Sequence, residues 1–283
     1  MDPNCMEEMK KTALRTVRES LVLPRADGGR IPVLVSLPAD EDGRPAAVQR
    51  VVLIVHGMGS SKEAASSEYY RLFFNQAGLG AVLYDQPGMG GAEAAEEDIR
   101  VAPSLDSLAA VERYARDRFP EADLVYFGSS YGAYITGLYV RTRPHLGRRA
   151  FFRSGAVIFP EMITGGPGAQ VDPKAQAALD ARGYLEVDLG ADAPLRFVKG
   201  FLEELMDPAY DLLTLYREAL PDVPIAMAHG DQDPEVPPAH AKAFAEAFGI
   251  PFTMIPGEGH SLCSHPETPA KVGQLALDWF EQA

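Results

Sequence analysis

The chain has 283 residues, 46% of them hydrophobic, with 26 glycines and 23 prolines, a composition that builds a buried core and excludes collagen-like and disordered chains. Forty acidic against 26 basic residues give a net charge of -14, and a field of that sign repels phosphate backbones and anionic lipid, so neither nucleic acid nor a membrane is an expected partner. Two cysteines, Cys5 and Cys263, supply neither a disulfide framework nor a four-thiolate zinc site, and no metal or other cofactor is expected.

The charged segment 1–18 lacks the apolar core of a signal peptide, and no apolar run reaches membrane-spanning length, so a soluble, cytoplasmic protein is expected. Two strand-like runs, 14–23 and 31–37, flank the turn signal Asp27-Gly28-Gly29 and predict an antiparallel hairpin. After the polar, proline-containing stretch 39–49, the run 51–55 holds only valine, leucine and isoleucine, as expected of a strand covered on both faces. Strands and amphipathic helices then alternate: helix 66–76, strand 81–84, helix 104–118, strand 124–127 and helix 133–141. Strand 151–158 follows, then strand 223–228, helix 238–248, strand 252–255 and helix 266–282. Repeated βα units predict an α/β fold with a mostly parallel central sheet and helices on both faces.

The rhythm breaks between 158 and 223, where about sixty residues stand, far more than one crossover helix needs. This stretch opens with Gly165-Gly166-Pro167-Gly168 and later carries Leu195, Val198, Leu202 and Leu205 at helical spacing, with Phe197 and Phe201 beside them. It reads as a helical cap, 159–221, inserted into a core made of 1–158 and 222–283. Extra core helices with no part in a site are the alternative. Under the cap reading Tyr184, Phe197 and Phe201 wall a pocket, because aromatic side chains suit a planar or apolar substrate group.

The sharpest local signal is Gly128-Ser129-Ser130-Tyr131-Gly132, a G-x-S-x-G pentapeptide directly after strand 124–127 and before helix 133–141. A nucleophile elbow requires that strand-turn-helix setting, and its flanking glycines relieve the crowding of a sharp, strained turn. Ser130 is therefore the candidate nucleophile. A serine hydroxyl needs a base to accept its proton, and of six histidines His260 stands in the loop after the last strand, at the same sheet edge as the elbow. His265 reads as a cap or an exposed residue, and His56, His145, His229 and His240 lie in other settings. A third residue should orient the imidazole. The segment His229-Gly230-Asp231-Gln232-Asp233-Pro234-Glu235 presents three carboxylates after strand 223–228, and the order Ser130, Asp233, His260 matches the serine, acid, histidine order of this architecture. Oxyanion donors are expected from the N–H of Tyr131 and, after strand 51–55, from that of Met58 in His56-Gly57-Met58-Gly59. Asp85, which ends strand 81–84 ahead of a Pro-Gly turn, reads as a turn-structuring residue.

In these residues the sequence resembles the α/β-hydrolase superfamily. The motifs are His56-Gly57-Met58-Gly59-Ser60-Ser61-Lys62-Glu63, Tyr84-Asp85-Gln86-Pro87-Gly88-Met89-Gly90, the elbow, His229-Gly230-Asp231-Gln232-Asp233 and Gly259-His260. The first of them, with the length of the insert and the pairs Gly183-Tyr184 and Phe201-Leu202, is similar to the cinnamoyl and feruloyl esterase-like branch. The resemblance implies an α/β-hydrolase fold, with the family acid at Asp233 and the oxyanion donors at Met58 and Tyr131. Ala133 stands where many relatives have a second glycine, and serine at 130 separates the chain from dienelactone hydrolases, which use cysteine there. The expected activity is a metal-free serine hydrolase acting on a small-molecule ester or acyl substrate. A thioesterase or acyltransferase with the same triad, or a binding protein on a hydrolase scaffold, are the alternatives. The oligomeric state, homodimer included, is left open by the sequence.

Overall fold

Side chains of a strand alternate between the two faces of its sheet, and the strand Arg50–Val55 (β3) buries both. Val51, Leu53 and Val55 join one apolar cluster and Val52 and Ile54 another, so β3 lies in the middle of two layers of helix. The computed structural model describes residues 15–91, 97–165, 172–187 and 194–282. Around β3 stand β1 (Thr16–Pro24), β2 (Arg30–Pro38), β4 (Gly80–Tyr84), β5 (Asp123–Ser129), β6 (Ala150–Arg153), β9 (Ile225–Gly230) and β10 (Phe252–Ile255). The order across the sheet is β1-β2-β4-β3-β5-β6-β9-β10. The pair β1 and β2 is antiparallel, β2 runs antiparallel to β4, and the remaining pairs are parallel. A separate antiparallel pair is formed by β7 (Tyr184–Val187) and β8 (Leu195–Val198).

Helices α1 (Ala65–Gln76) and α9 (Thr268–Glu281) cover one face through Tyr70, Phe74, Leu277 and Phe280. On the other face lie α2 (Val101–Arg118), α3 (Tyr131–Thr142) and α8 (Pro238–Phe248), which contribute Leu108, Leu138 and Phe244. The fold is that of α/β hydrolases, with the parallel strands ending along one edge of the sheet. Such C-terminal edges are where open α/β sheets present their sites. No helix among the described residues is long and apolar enough to cross a membrane.

The structure corrects two expected elements. The strand expected over 151–158 stops at Arg153, because Ser154 takes φ 46° and turns the chain. Ala156, Val157 and Ile158 are apolar because they are buried in that turn, and Phe159–Thr164 then forms the short helix α4. The helical stripe expected from Leu195 to Leu205 divides into a strand and a helix. Leu195 and Phe197 are buried and Arg196 between them is exposed, a period of two that belongs to β8, and helix α6 begins only at Lys199 (Lys199–Leu205).

The segment between β6 and β9 also holds α5 (Pro173–Arg182) and α7 (Leu212–Glu218). Gly165 is described, whereas Gly166, Pro167, Gly168 and the residue expected to open the first strand, Leu14, lie outside the described residues. Phe197, Phe201, Leu205, Leu212 and Tyr216 of this segment share the buried cluster of α2 and α3. The Phe201 ring lies 6.5 Å from Tyr131, 6.3 Å from Phe159 and 5.1 Å from Phe197, centroid to centroid. Phe201→Ala is expected to lower the unfolding free energy by about 3–5 kcal/mol in a denaturant titration, the usual consequence of emptying a buried phenylalanine site.

Candidate active site

At the end of β5 the backbone of Ser130 adopts φ 53° and ψ -120°, a conformation that costs a side-chain-bearing residue on the order of 1–3 kcal/mol. Neighbouring backbone holds it there. The Ser130 N–H donates to the Arg153 carbonyl at 3.0 Å, and the Ser130 carbonyl accepts from Ala133 at 3.0 Å and from Ala156 at 3.2 Å. Both flanking glycines are required by close approach. A Cβ on Gly132 would sit 2.1 Å from the Val55 carbonyl oxygen, and one on Gly128 would sit 2.7 Å from the Ala133 Cα. The turn thus lifts the Ser130 side chain above the sheet edge, between β5 and the start of α3.

The loops after β9 and β10 meet beside it. His260 Nδ1 lies 2.7 Å from Asp233 Oδ2, while Asp231 turns away and accepts the Gly257 N–H at 2.7 Å. Asp233 is wholly buried as a side chain, and its other oxygen accepts the N–H groups of Glu235 and Val236, each at 2.9 Å. A second histidine shares the carboxylate: His229 Nε2 is 2.9 Å from Asp233 Oδ2 and 3.0 Å from the Val236 carbonyl. Two acceptors at Nε2 place the His229 proton there. Burial alone would raise the Asp233 pKa, but hydrogen bonds from His229, His260 and Val236 outweigh it and hold the carboxyl well below the usual carboxylate range. The aspartate is therefore ionised and aimed at the imidazole.

The His260 loop is itself anchored by Glu258, whose buried carboxylate accepts from Ser264 N–H at 2.8 Å, His265 N–H at 3.0 Å, His265 Nδ1 at 2.8 Å and Thr268 Oγ1 at 2.7 Å. Burial pushes this carboxyl up and those donors pull it lower, to a position below its ordinary value. Ser154 Oγ adds a 2.7 Å bond to the His260 carbonyl.

A third loop, after β3, approaches Ser130 from the other side. Gln86 N–H donates to His56 Nε2 at 3.1 Å, so the His56 proton is on Nδ1, which donates to the Gly57 carbonyl at 2.8 Å. Burial pushes the pKa of this imidazole down and keeps it neutral. Asp85 grips the far end of the same loop. It accepts Lys62 N–H at 2.8 Å, Lys62 Nζ at 2.6 Å and Gly91 N–H at 3.0 Å. It thus joins the loops after β3 and β4, which fits the turn role expected for it. Among the described residues the backbone N–H groups of Met58 and Tyr131 have no acceptor within the protein. Unpaired backbone donors of this kind can receive a developing oxyanion.

These three loops enclose a cavity of about 530 Å³. Ser130, His260 and Met58 line it, as do Ile54, Phe127 and Arg153, and one wall is α4, through Phe159, Met162 and Ile163. Tyr184, Phe197 and Phe201, expected from sequence to wall the pocket, are not among its lining residues. Phe197 and Phe201 are core residues at 1% and 0% exposure, and the Tyr184 ring is covered by the guanidinium groups of Arg182 and Arg196 at 5.3 and 4.9 Å. The sequence reading placed the residues of α4 at the start of the inserted cap and singled out none of them as part of a site. Glu258, His229 and Arg153 were also missed, since their importance lies in partners brought from elsewhere in the chain. Among the described residues, no group of three or more His, Cys, Asp or Glu side chains is placed to hold a metal ion.

The sequence profile of the alpha/beta hydrolase family matches residues 52–274. No curated protein sequence matches the chain. Among solved structures it is similar to Est1E from Butyrivibrio proteoclasticus with ferulic acid bound, at 20% identity and a TM-score of 0.75, over 93% of this chain and 100% of that one. It is also similar to the esterase domain of a Rhodothermus marinus protein, at 18% identity and a TM-score of 0.66, over 93% of this chain and 97% of that one. A thermostable carboxyl esterase from Bacillus coagulans, in complex with glycerol, matches at 15% identity and a TM-score of 0.66, over 93% and 99% of the two chains. Identities this low establish a shared fold.

Proposed function

The chain belongs to the alpha/beta hydrolase family, and from that membership we propose that it is a serine esterase that cleaves small-molecule carboxylic esters through an acyl-enzyme. One observation carries the reading: a serine in a strained turn and a histidine held at Nδ1 by a buried aspartate open on the same cavity. With Nδ1 engaged by Asp233, His260 Nε2 is the nitrogen left to take a proton. Ser130 Oγ bonds to the ester carbonyl carbon as its proton passes to Nε2, and the carbonyl oxygen becomes an oxyanion. The Met58 and Tyr131 N–H groups would receive that oxygen, fixed beforehand by the Lys62–Asp85 clamp and the elbow. Collapse of the tetrahedral intermediate breaks the bond to the alkoxy oxygen, which leaves as alcohol with the proton from His260. Water then attacks the acyl group, giving its proton to Nε2, and the second collapse returns that proton to Ser130 and frees the acid.

Asp233 stabilises the imidazolium formed in each half-reaction without taking its proton. The apolar wall of α4 suits the hydrocarbon part of an ester. The test is covalent: mass spectrometry after a brief exposure to a 4-nitrophenyl ester should find the acyl mass on Ser130 alone. Parallel assays with a thioester and with added alcohol or amine acceptors separate an esterase from a thioesterase or an acyltransferase. An unmodified Ser130 with no turnover of any of them would defeat the reading.

A further inference from the structure

Three arginines are buried in the described structure, at 7% exposure for Arg25, 2% for Arg71 and 5% for Arg153. Two have carboxylate partners. Arg25 reaches Glu97 at 2.5 Å and Asp27 at 2.8 Å, and Arg71 reaches Glu68 at 2.7 Å. Arg153 has no acidic partner among the described residues, in a protein whose net charge is -14. Its Nη2 donates to the Ser261 carbonyl, its Nε is buried without an acceptor, and its guanidinium carbon lies 5.6 Å from the Tyr70 ring centre. A guanidinium has five N–H donors, so one carbonyl and one ring leave it largely unanswered. An unpaired buried charge is among the costliest features a protein can carry.

Its position gives the cost a use. Arg153 ends β6, directly beside β5 in register with Ser129, and its own carbonyl holds the Ser130 N–H. The side chain lines the same cavity as Ser130 and His260. We propose that Arg153 recognises a carboxylate on the substrate, so that the protein acts on esters that carry an anionic carboxyl group close to the reacting carbonyl. This deepens the esterase reading above and rests on it for the reaction, though not for the binding. A planar carboxylate matches the fork of a guanidinium with two parallel hydrogen bonds. Of the other residues lining the cavity, Ile54, Phe127, Phe159 and Met162 are apolar, the serines bring only neutral hydroxyls, and Glu235 is itself an acid. Arg153 is thus the one arginine or lysine on the described wall and the residue that would discriminate for an anion.

The experiment compares kcat/KM within two matched pairs. Mono-4-nitrophenyl glutarate against 4-nitrophenyl pentanoate places the carboxylate on the acyl side, and 3-carboxyphenyl butyrate against phenyl butyrate places it on the alcohol side. In one pair the anionic ester should be preferred by about ten- to a hundredfold, the worth of a hydrogen bond to a charged group. Arg153→Met should bring that ratio to about one, and Arg153→Lys should keep part of it. A ratio of one or less in both pairs for the native protein overturns the proposal. So does Arg153→Met if both members fall in parallel at an unchanged ratio, because Arg153 would then serve only to position the His260 loop through Ser261. A binding measurement separates the two readings: by calorimetry, Ser130→Ala should bind monomethyl glutarate at least about tenfold more tightly than dimethyl glutarate. Retained discrimination without turnover sinks the esterase reading and keeps the carboxylate site, whereas turnover without discrimination does the reverse.

Discussion

Ser130→Ala is expected to remain folded and to lose ester turnover by several orders of magnitude. Only what cavity binding and the oxyanion donors provide should remain, on the order of 10³-fold over water. The fold should survive because the elbow is held by backbone: the bonds through the Ser130 N–H and carbonyl do not use its hydroxyl. Circular dichroism and a 4-nitrophenyl ester assay on the variant check both halves. A fluorophosphonate should label the native protein once and leave the variant unmodified. Labelling at Ser129, or near-normal turnover by Ser130→Ala, would remove Ser130 from the chemistry.

Asp233→Asn carries the second large effect, a loss of about 10⁴-fold in turnover, the cost known for this kind of change in serine enzymes. The structure gives the reason. An asparagine can keep its oxygen toward the Glu235 and Val236 N–H groups, and its amide nitrogen then faces His260 Nδ1 and His229 Nε2, a donor set against donors. His260 answers by moving its proton to Nε2, where it can no longer accept one from Ser130. Stability should change as well. Because the folded Asp233 carboxyl titrates below its ordinary value, its contribution is full at neutral pH and is lost as the pH falls through the acid range. The asparagine variant lacks that part of the acid sensitivity. Asp231→Asn, at a side chain that accepts the Gly257 N–H and not a His260 nitrogen, should keep turnover within about tenfold, far short of the loss expected at a triad member. Melting curves and turnover for both variants decide, and the opposite ranking would give Asp231 the orienting role.

The parts of the molecule legible in the sequence are those whose cause is local. Five consecutive apolar residues at 51–55 announce a central strand, and G-x-S-x-G between a strand and a helix announces a strained turn, because both signals sit in a few adjacent residues. The choice between Asp231 and Asp233 was also local: the proline after Asp233 biases it toward extended backbone, and Asp233 is the one in contact with His260. What stayed hidden depends on residues far apart. Nothing in Phe151-Phe152-Arg153-Ser154 reveals that, among the described residues, no carboxylate reaches Arg153. That Glu258 would gather four donors depends on how its loop closes onto α9. Phe197 and Phe201 misled because apolar aromatics in an insert can wall a cavity or fill a core, and which they do is decided by their nearness to Tyr131 and Phe159.

The direct pairing of β6 with β9, which leaves everything from α4 to α7 as a detour between adjacent strands, also bears on how the protein is made. Closing so long a loop costs little once the fold is complete, since each doubling of loop length adds only about 0.6 kcal/mol. It costs time, because contacts distant in sequence are slow to form. β3, β4, β5 and α3 are near neighbours in the chain and carry Ser130 with the amides of Met58 and Tyr131, whereas Asp233 and His260 arrive only when β9 and β10 dock. On the proposed mechanism, a newly synthesised chain would acquire its serine before the base that arms it, and the nucleophile would be inert while the polypeptide is still unfinished.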